Sequence, residues 1–198
     1  MKIIEEKYNW SGLFGERNRT EEIIIHHRAG NGDAQSLHNE HVKNGWSGIG
    51  YHFYIGKDGR IYRGRPLNAV GAHCVGRNAI SIGVCFEGNY QYERTMPEVQ
   101  LESGKELILY IKGIFPYAEI KRHDDFLATL CPGRYFPLEE ISKAAERQEI
   151  TSANDITWEL GRIIEIEDVD GFVAALDEAK REESPLYWGF RKIVNKRS

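Results

Sequence analysis

The stretch KRHDDFLATLCPG, Lys121 to Gly133, sets one histidine eight positions ahead of one cysteine and closes on a Pro-Gly turn. Imidazole and thiolate are both ligands of choice for zinc, so His123 and Cys131 would supply two members of a ligand set if a third donor came from elsewhere. That donor is on offer in EIIIHH, where His26 or His27 stands at the carboxyl end of an apolar run. Three protein ligands with a fourth position open is the arrangement of a hydrolytic zinc site, which keeps room for water. The eight-residue gap by itself matches no zinc-finger or helix-borne motif. The alternatives are a surface loop histidine and a buried thiol behaving as a small hydrophobe.

The elements that must bring these groups together follow a mixed α/β pattern. Glu22 to His27 is a short β-branched run, as expected for a strand buried on both faces. Asp33 to Lys43 reads as a helix stopped by Asn44-Gly45. Tyr51 to Ile55 and Arg60 to Arg63 flank Lys57-Asp-Gly59, a hairpin signal. Ile80 to Phe86 is a further apolar strand. Thr95 precedes Glu98 at capping-box spacing, with Pro97 in the first turn, and Leu107, Ile108, Ile111, Ile114 and Phe115 recur at helical intervals up to Pro116. Ala118 to Arg122 reads as a strand leading into the His123 loop, and Leu138 to Arg147 as a helix.

Beyond Gln148 the pattern turns wholly helical. Ser152 to Asp155, Asp168 and Ser184-Pro185 each open an apolar stripe, so two units are expected: 1–148, carrying the chemistry, and 149–198, a small helical segment for targeting, oligomerisation or packing.

The bulk numbers narrow the function. With 198 residues, 41% hydrophobic and 28% charged, the chain is an ordinary globular protein. A net charge of −4 gives no basic footprint for nucleic acid. The first 22 residues lack an apolar run fit for a signal-peptide core, and no later segment is long and apolar enough to span a bilayer, so synthesis in the cytoplasm without membrane insertion is expected. Cys74, Cys85 and Cys131 are too few for a disulfide framework and suit a reduced compartment.

Four blocks in order, IIIHHRAG, GWSGIGYHFYIGKDGRIYRGRP, VGAHCVGRNAISIGVCFEGNY and KRHDDFLATLCPG, resemble the signature blocks of the type-2 N-acetylmuramoyl-L-alanine amidases. That family includes amidase-type phage lysozymes and peptidoglycan recognition proteins, and the likeness runs from about Glu21 to Leu138. It implies a mixed central sheet flanked by helices. The implied activity is zinc-dependent cleavage of the amide between N-acetylmuramic acid and L-alanine in peptidoglycan.

By the same resemblance His26, His123 and Cys131 are the Zn2+ ligands, and Tyr51 and Thr129 are catalytic. His73 and Trp46 are candidates for substrate contact, and so is His27, which strand alternation points away from His26. The cytosolic recycling branch carries a glutamate where this chain has Cys85, so no glutamate base is implied. Glu87, two residues along the strand, is a candidate for that role. His38 and His41 read as structural or solvent-facing, and His52, which alternates away from Tyr51, reads as a packing residue. A phage or prophage endolysin, released from the cytoplasm to act on the cell wall, is the expected biology, and a host autolysin is the runner-up. From a different class, a peptidoglycan-binding module without turnover is the alternative, and homo-oligomerisation through the C-terminal helices is a further expectation.

Overall fold

A computed structural model describes residues 1–144 of the chain. Its centre is one six-stranded sheet of order β1-β4-β3-β5-β2-β6, from β1 (Ile3–Glu5), β2 (Glu22–His27), β3 (Phe53–Ile55), β4 (Ile61–Arg63), β5 (Ser81–Phe86) and β6 (Glu119–Arg122). β3, β5, β2 and β6 run parallel, β4 returns antiparallel to β3, and β1 lies parallel to β4. This is the mixed sheet the sequence implies. The hairpin is present with its Asp58-Gly59 turn.

The two central strands, EIIIHH and SIGVCF, are buried at every position. Parallel strands covered on both faces read as continuous apolar runs, because neither side meets water. Ile23, Ile24 and Ile25 are fully enclosed, and each contributes about 1.5–3 kcal/mol of burial.

Alternation divides those residues between two layers. Ile23 and Ile25 join Ile82, Val84 and Phe86 beneath helix α2 (Glu98–Ile114), which supplies Leu101, Leu107, Ile108 and Ile111. Tyr54 and Cys85 join Ala34, Leu37 and Ile49 on the other face, under helix α1 (Ala34–Lys43). A last helical stretch, 138–144, sets Ile141 into the α2 layer.

Both ends of α1 follow from local chemistry. The Asp33 carboxylate accepts the Ser36 N–H at 2.7 Å. At the other end the Gly45 N–H reaches the Val42 carbonyl and the Trp46 N–H reaches that of His41. That pair of bonds is a Schellman closure, and Gly45 sits at φ 83° as such a closure requires.

Two details differ from the pattern read in the sequence. α2 begins at Glu98 with Pro97 as its cap and no side-chain capping bond, so the Thr95 capping box does not form. Proline pushes the residue before it out of the helical region, so no helical turn forms ahead of Pro97 and the helix starts at Glu98. Strand β1, just three residues at the sheet edge, is an addition to the expected elements. The boundary near Glu149, the three C-terminal helices and the end of the helix expected to reach Arg147 lie outside the described residues.

Candidate metal centre

The sheet register assembles the cluster. β6 pairs with β2 up to Arg122 opposite Ile25, so the next residue on each strand brings His123 level with His26, and their ring centres are 4.3 Å apart. After His123 the chain makes one 3-10 turn, His123–Asp125, and swings back to Cys131. Arg122 ties the two arms of that loop: its guanidinium pairs with Asp124 at 2.7 Å and donates to the Gly133 carbonyl at 3.2 Å, while the Asp124 N–H reaches the Cys131 carbonyl at 3.0 Å. Sγ of Cys131 accepts the His27 N–H at 3.3 Å and lies 3.7 Å from Nδ1 of His26.

One ligand atom each from His26, His123 and Cys131 falls within 4.8 Å of the others. The chemistry of this set fits a metal. Both ring nitrogens of His123 are buried with no hydrogen-bond partner, a costly state for an imidazole unless something else binds it. Burial pushes the Cys131 thiol up to about 12, and holds His26 well below the usual imidazole range, with His73 and His123 adding to the effect. The cluster is therefore uncharged on its own, two neutral imidazoles and a thiol, and zinc would be held by soft and borderline donors.

Around it stand the other expected residues. The Tyr51 ring centre is 5.0 Å from that of His26. Burial, then the neighbouring Cys85 and Cys131 thiols, hold its hydroxyl protonated far above the ordinary range. Thr129 accepts the Cys131 N–H at 3.3 Å, which leaves its own O–H free to donate. His73 lies against the cluster, its Nδ1 3.1 Å from Nε2 of His26. Trp46 is 46% exposed and packs on His41 at 4.6 Å, with His41 in turn 5.9 Å from Tyr51, so it stands at the rim.

His27 is not brought to the cluster. It faces the α2 layer, where its Nδ1 accepts the Tyr90 N–H at 3.0 Å, and only its backbone serves the site. Glu87 is also engaged elsewhere: one oxygen accepts the Gly32 N–H and the other the Lys57 N–H, both at 2.8 Å. Tyr90 is a core residue bonded to Gln100. His38, His41 and His52 are buried and hold backbone amides, those of Ile49, Gly50 and Gly83. Sequence reasoning missed the contact of His73 with His26 and that of Cys85 with Tyr51, because His73 and Tyr51 lie outside the strands, on connections whose approach to the sheet no sequence period announces.

Comparison with known proteins agrees with this picture. The pattern of the N-acetylmuramoyl-L-alanine amidase family matches residues 16–134. The N-acetylmuramoyl-L-alanine amidase LysC of Clostridium intestinale URNW superposes with a TM-score of 0.69 at 42% identity, over 72% of this chain and 96% of that one. The endolysin of Enterobacteria phage K11 is 30% identical over 141 residues, 67% of this chain and 92% of that one. Peptidoglycan-recognition protein SC1a of Drosophila melanogaster is 33% identical over 154 residues, 67% of this chain and 80% of that one.

Proposed function

Because the chain belongs to the N-acetylmuramoyl-L-alanine amidase family, we propose that it is a zinc-dependent endolysin hydrolysing the amide between N-acetylmuramic acid and L-alanine in peptidoglycan. The observation that carries the metal is the His26, His123 and Cys131 cluster, with both nitrogens of His123 buried and unpartnered. Zinc bound by these three residues would supply a water acidified to a pKa of about 7 and a Lewis acid for the amide carbonyl.

The chain's own groups orient the reaction. Tyr51, kept protonated by its burial, and Thr129, whose oxygen is already committed to the Cys131 N–H, each have an O–H to donate to the oxygen on which negative charge develops. Donors fixed in advance cost no reorganisation at the moment of reaction. His26 is fully buried, and Trp46, half exposed at the rim, offers an aromatic face for a sugar-peptide polymer. The amide C–N bond breaks, the carbonyl carbon takes the OH of the water to form the carboxylic acid, and the L-alanine nitrogen takes the other water hydrogen and leaves as an amine.

The likeness to the phage K11 endolysin supports release from the producing cell onto the wall. No described helix is long and apolar enough to cross a membrane. Incubating the full chain with purified peptidoglycan should liberate L-alanine amino groups without new reducing sugar ends, and a chelator should stop the release. Cys131→Ala and His123→Ala should each lose zinc and activity together. Wall binding with no new amine would favour the binding-module reading, and full zinc in either variant would remove the ligand assignment.

A further inference from the structure

We propose that His73 is a positioning residue: it accepts a hydrogen bond from His26 and thereby holds the bare nitrogen of His26 toward the metal site. This rests on the ligand assignment proposed above. Nδ1 of His26 faces Cys131 at 3.7 Å, and its Nε2 faces Nδ1 of His73 at 3.1 Å. A neutral imidazole has one N–H and one acceptor nitrogen, and the partners decide which is which.

Here the decision is made one residue further back. Nε2 of His73 meets Ser81, whose Oγ is 3.5 Å away. The Ser81 hydroxyl hydrogen is already given to the Arg77 carbonyl at 2.7 Å, so its oxygen can only accept. Facing an acceptor alone, Nε2 of His73 carries the hydrogen, and its Nδ1 is left as a lone pair. His26 must then donate from Nε2, and its own Nδ1 is left bare on the Cys131 side. Every bond in the row runs in one direction, and the Arg77 carbonyl, which has no hydrogen to give, anchors it.

The fold makes room for the His73 ring and for little else. A Cβ at Gly71 or Gly83 would lie 2.5 Å from it, closer than side-chain carbons approach. Asn78 accepts the N–H groups of both His73 and Cys74, at 2.8 and 2.9 Å, and so pins the loop that carries the ring. His52, the nearest other imidazole, has both nitrogens engaged by Gly83 and Ala69 and cannot compete. Metal-binding histidines usually give their second N–H to a carboxylate, carbonyl or water. In this chain a second imidazole takes that part.

The test is long-range 1H–15N NMR of the full chain, metal-free and then titrated with zinc, alongside zinc affinity by competition with a chromophoric chelator. His26 and His73 should each show a single tautomer with the hydrogen on Nε2, and zinc should shift Nδ1 of His26. His73→Leu, similar in bulk but with no acceptor, should bind zinc about 10- to 100-fold more weakly and show mixed His26 tautomers. His73→Asn, which returns a carbonyl oxygen near the lost Nδ1, should recover most of the affinity. If His73→Leu does not fold, the wild-type spectrum and the asparagine variant decide. A wild-type His26 with its hydrogen on Nδ1, or an asparagine variant no better than leucine, overturns the proposal. Zinc that binds without moving the His26 resonances overturns the ligand assignment itself, and the metal-free spectrum tells that failure apart.

Discussion

The Tyr51 hydroxyl and the three candidate metal donors, His26, His123 and Cys131, are separable by chemistry. Tyr51→Phe keeps the ring against His26 and removes the O–H with its Cys85 contact, so zinc content should be unchanged and stability should fall by no more than about 1–3 kcal/mol, while turnover falls about a hundredfold or more. Wild-type turnover on soluble muropeptide would assign the tyrosine to packing. Thr129→Ala should act in the same direction more mildly, with some loss of zinc affinity, because it also removes the acceptor of the Cys131 N–H. Much at this scale is legible in the sequence. Residue types suggest a metal, and the two-residue period of a strand sets His26 and His27 on opposite faces. The choice between them is not legible from periodicity, since it depends on which face β6 delivers His123 to. Glu87 shows the same limit. Alternation alone leaves its carboxylate open to catalysis, yet two backbone amides hold it. Glu87→Gln should therefore destabilise the fold by about 1–3 kcal/mol in urea unfolding and leave the activity of folded molecules intact. Normal stability with lost turnover would instead make it the base.

At the scale of elements, the loop between α1 and β3 is held by imidazoles acting as acceptors: His38 takes the Ile49 N–H and His41 the Gly50 N–H. Tyr51 is the next residue, so these two rings fix the backbone from which the Tyr51 hydroxyl extends. Burial brings His41 down from 6.5 to about 4, partly opposed by Glu40, and the fully enclosed His52 is lowered as well. Between the two values the unfolded chain binds protons that the folded chain refuses. The contribution to stability is thus complete above about pH 6.5, declines below it, and is lost as pH falls through about 4. Urea midpoints taken in EDTA, so that metal release plays no part, should be flat above pH 6.5 and drop toward pH 4. His41→Asn keeps an acceptor for Gly50 without titrating, and should start lower but fall less steeply. An unchanged slope would mean that other groups drive the acid loss. Sequence locates the long elements well, since EIIIHH, SIGVCF and the α2 stripe each bury a face that their period announces. It misses β1, because a three-residue edge strand has no period to read, and it sets the start of α2 too early, because a capping-box spacing carries no account of the proline inside it.

For the whole molecule, the question is whether residues 1–144 depend on the C-terminal segment. Their sheet is covered on both faces from within, by α1 on one side and by α2 with Ile141 on the other, so the core is closed before the tail begins. The LysC chain of Clostridium intestinale is matched over 96% of its length by 72% of this chain. The stripes Ile156, Leu160, Ile163, Ile164; Phe172, Val173, Leu176; and Leu186, Phe190, Ile193, Val194 lie outside the described residues. A tail of that size is too small to bury much core alone. We infer that it serves to hold the enzyme on the wall. A chain ending near Gln148 should then fold, bind zinc and cleave soluble muropeptide at the full rate, yet clear intact walls more slowly, because tethering raises local concentration without altering the metal chemistry. Turbidity loss of whole walls and amine release from soluble substrate, measured on the same preparations, separate the two effects. Equal clearance by the shortened chain would remove the targeting role, and failure of that chain to fold would make the tail a clamp on the catalytic unit.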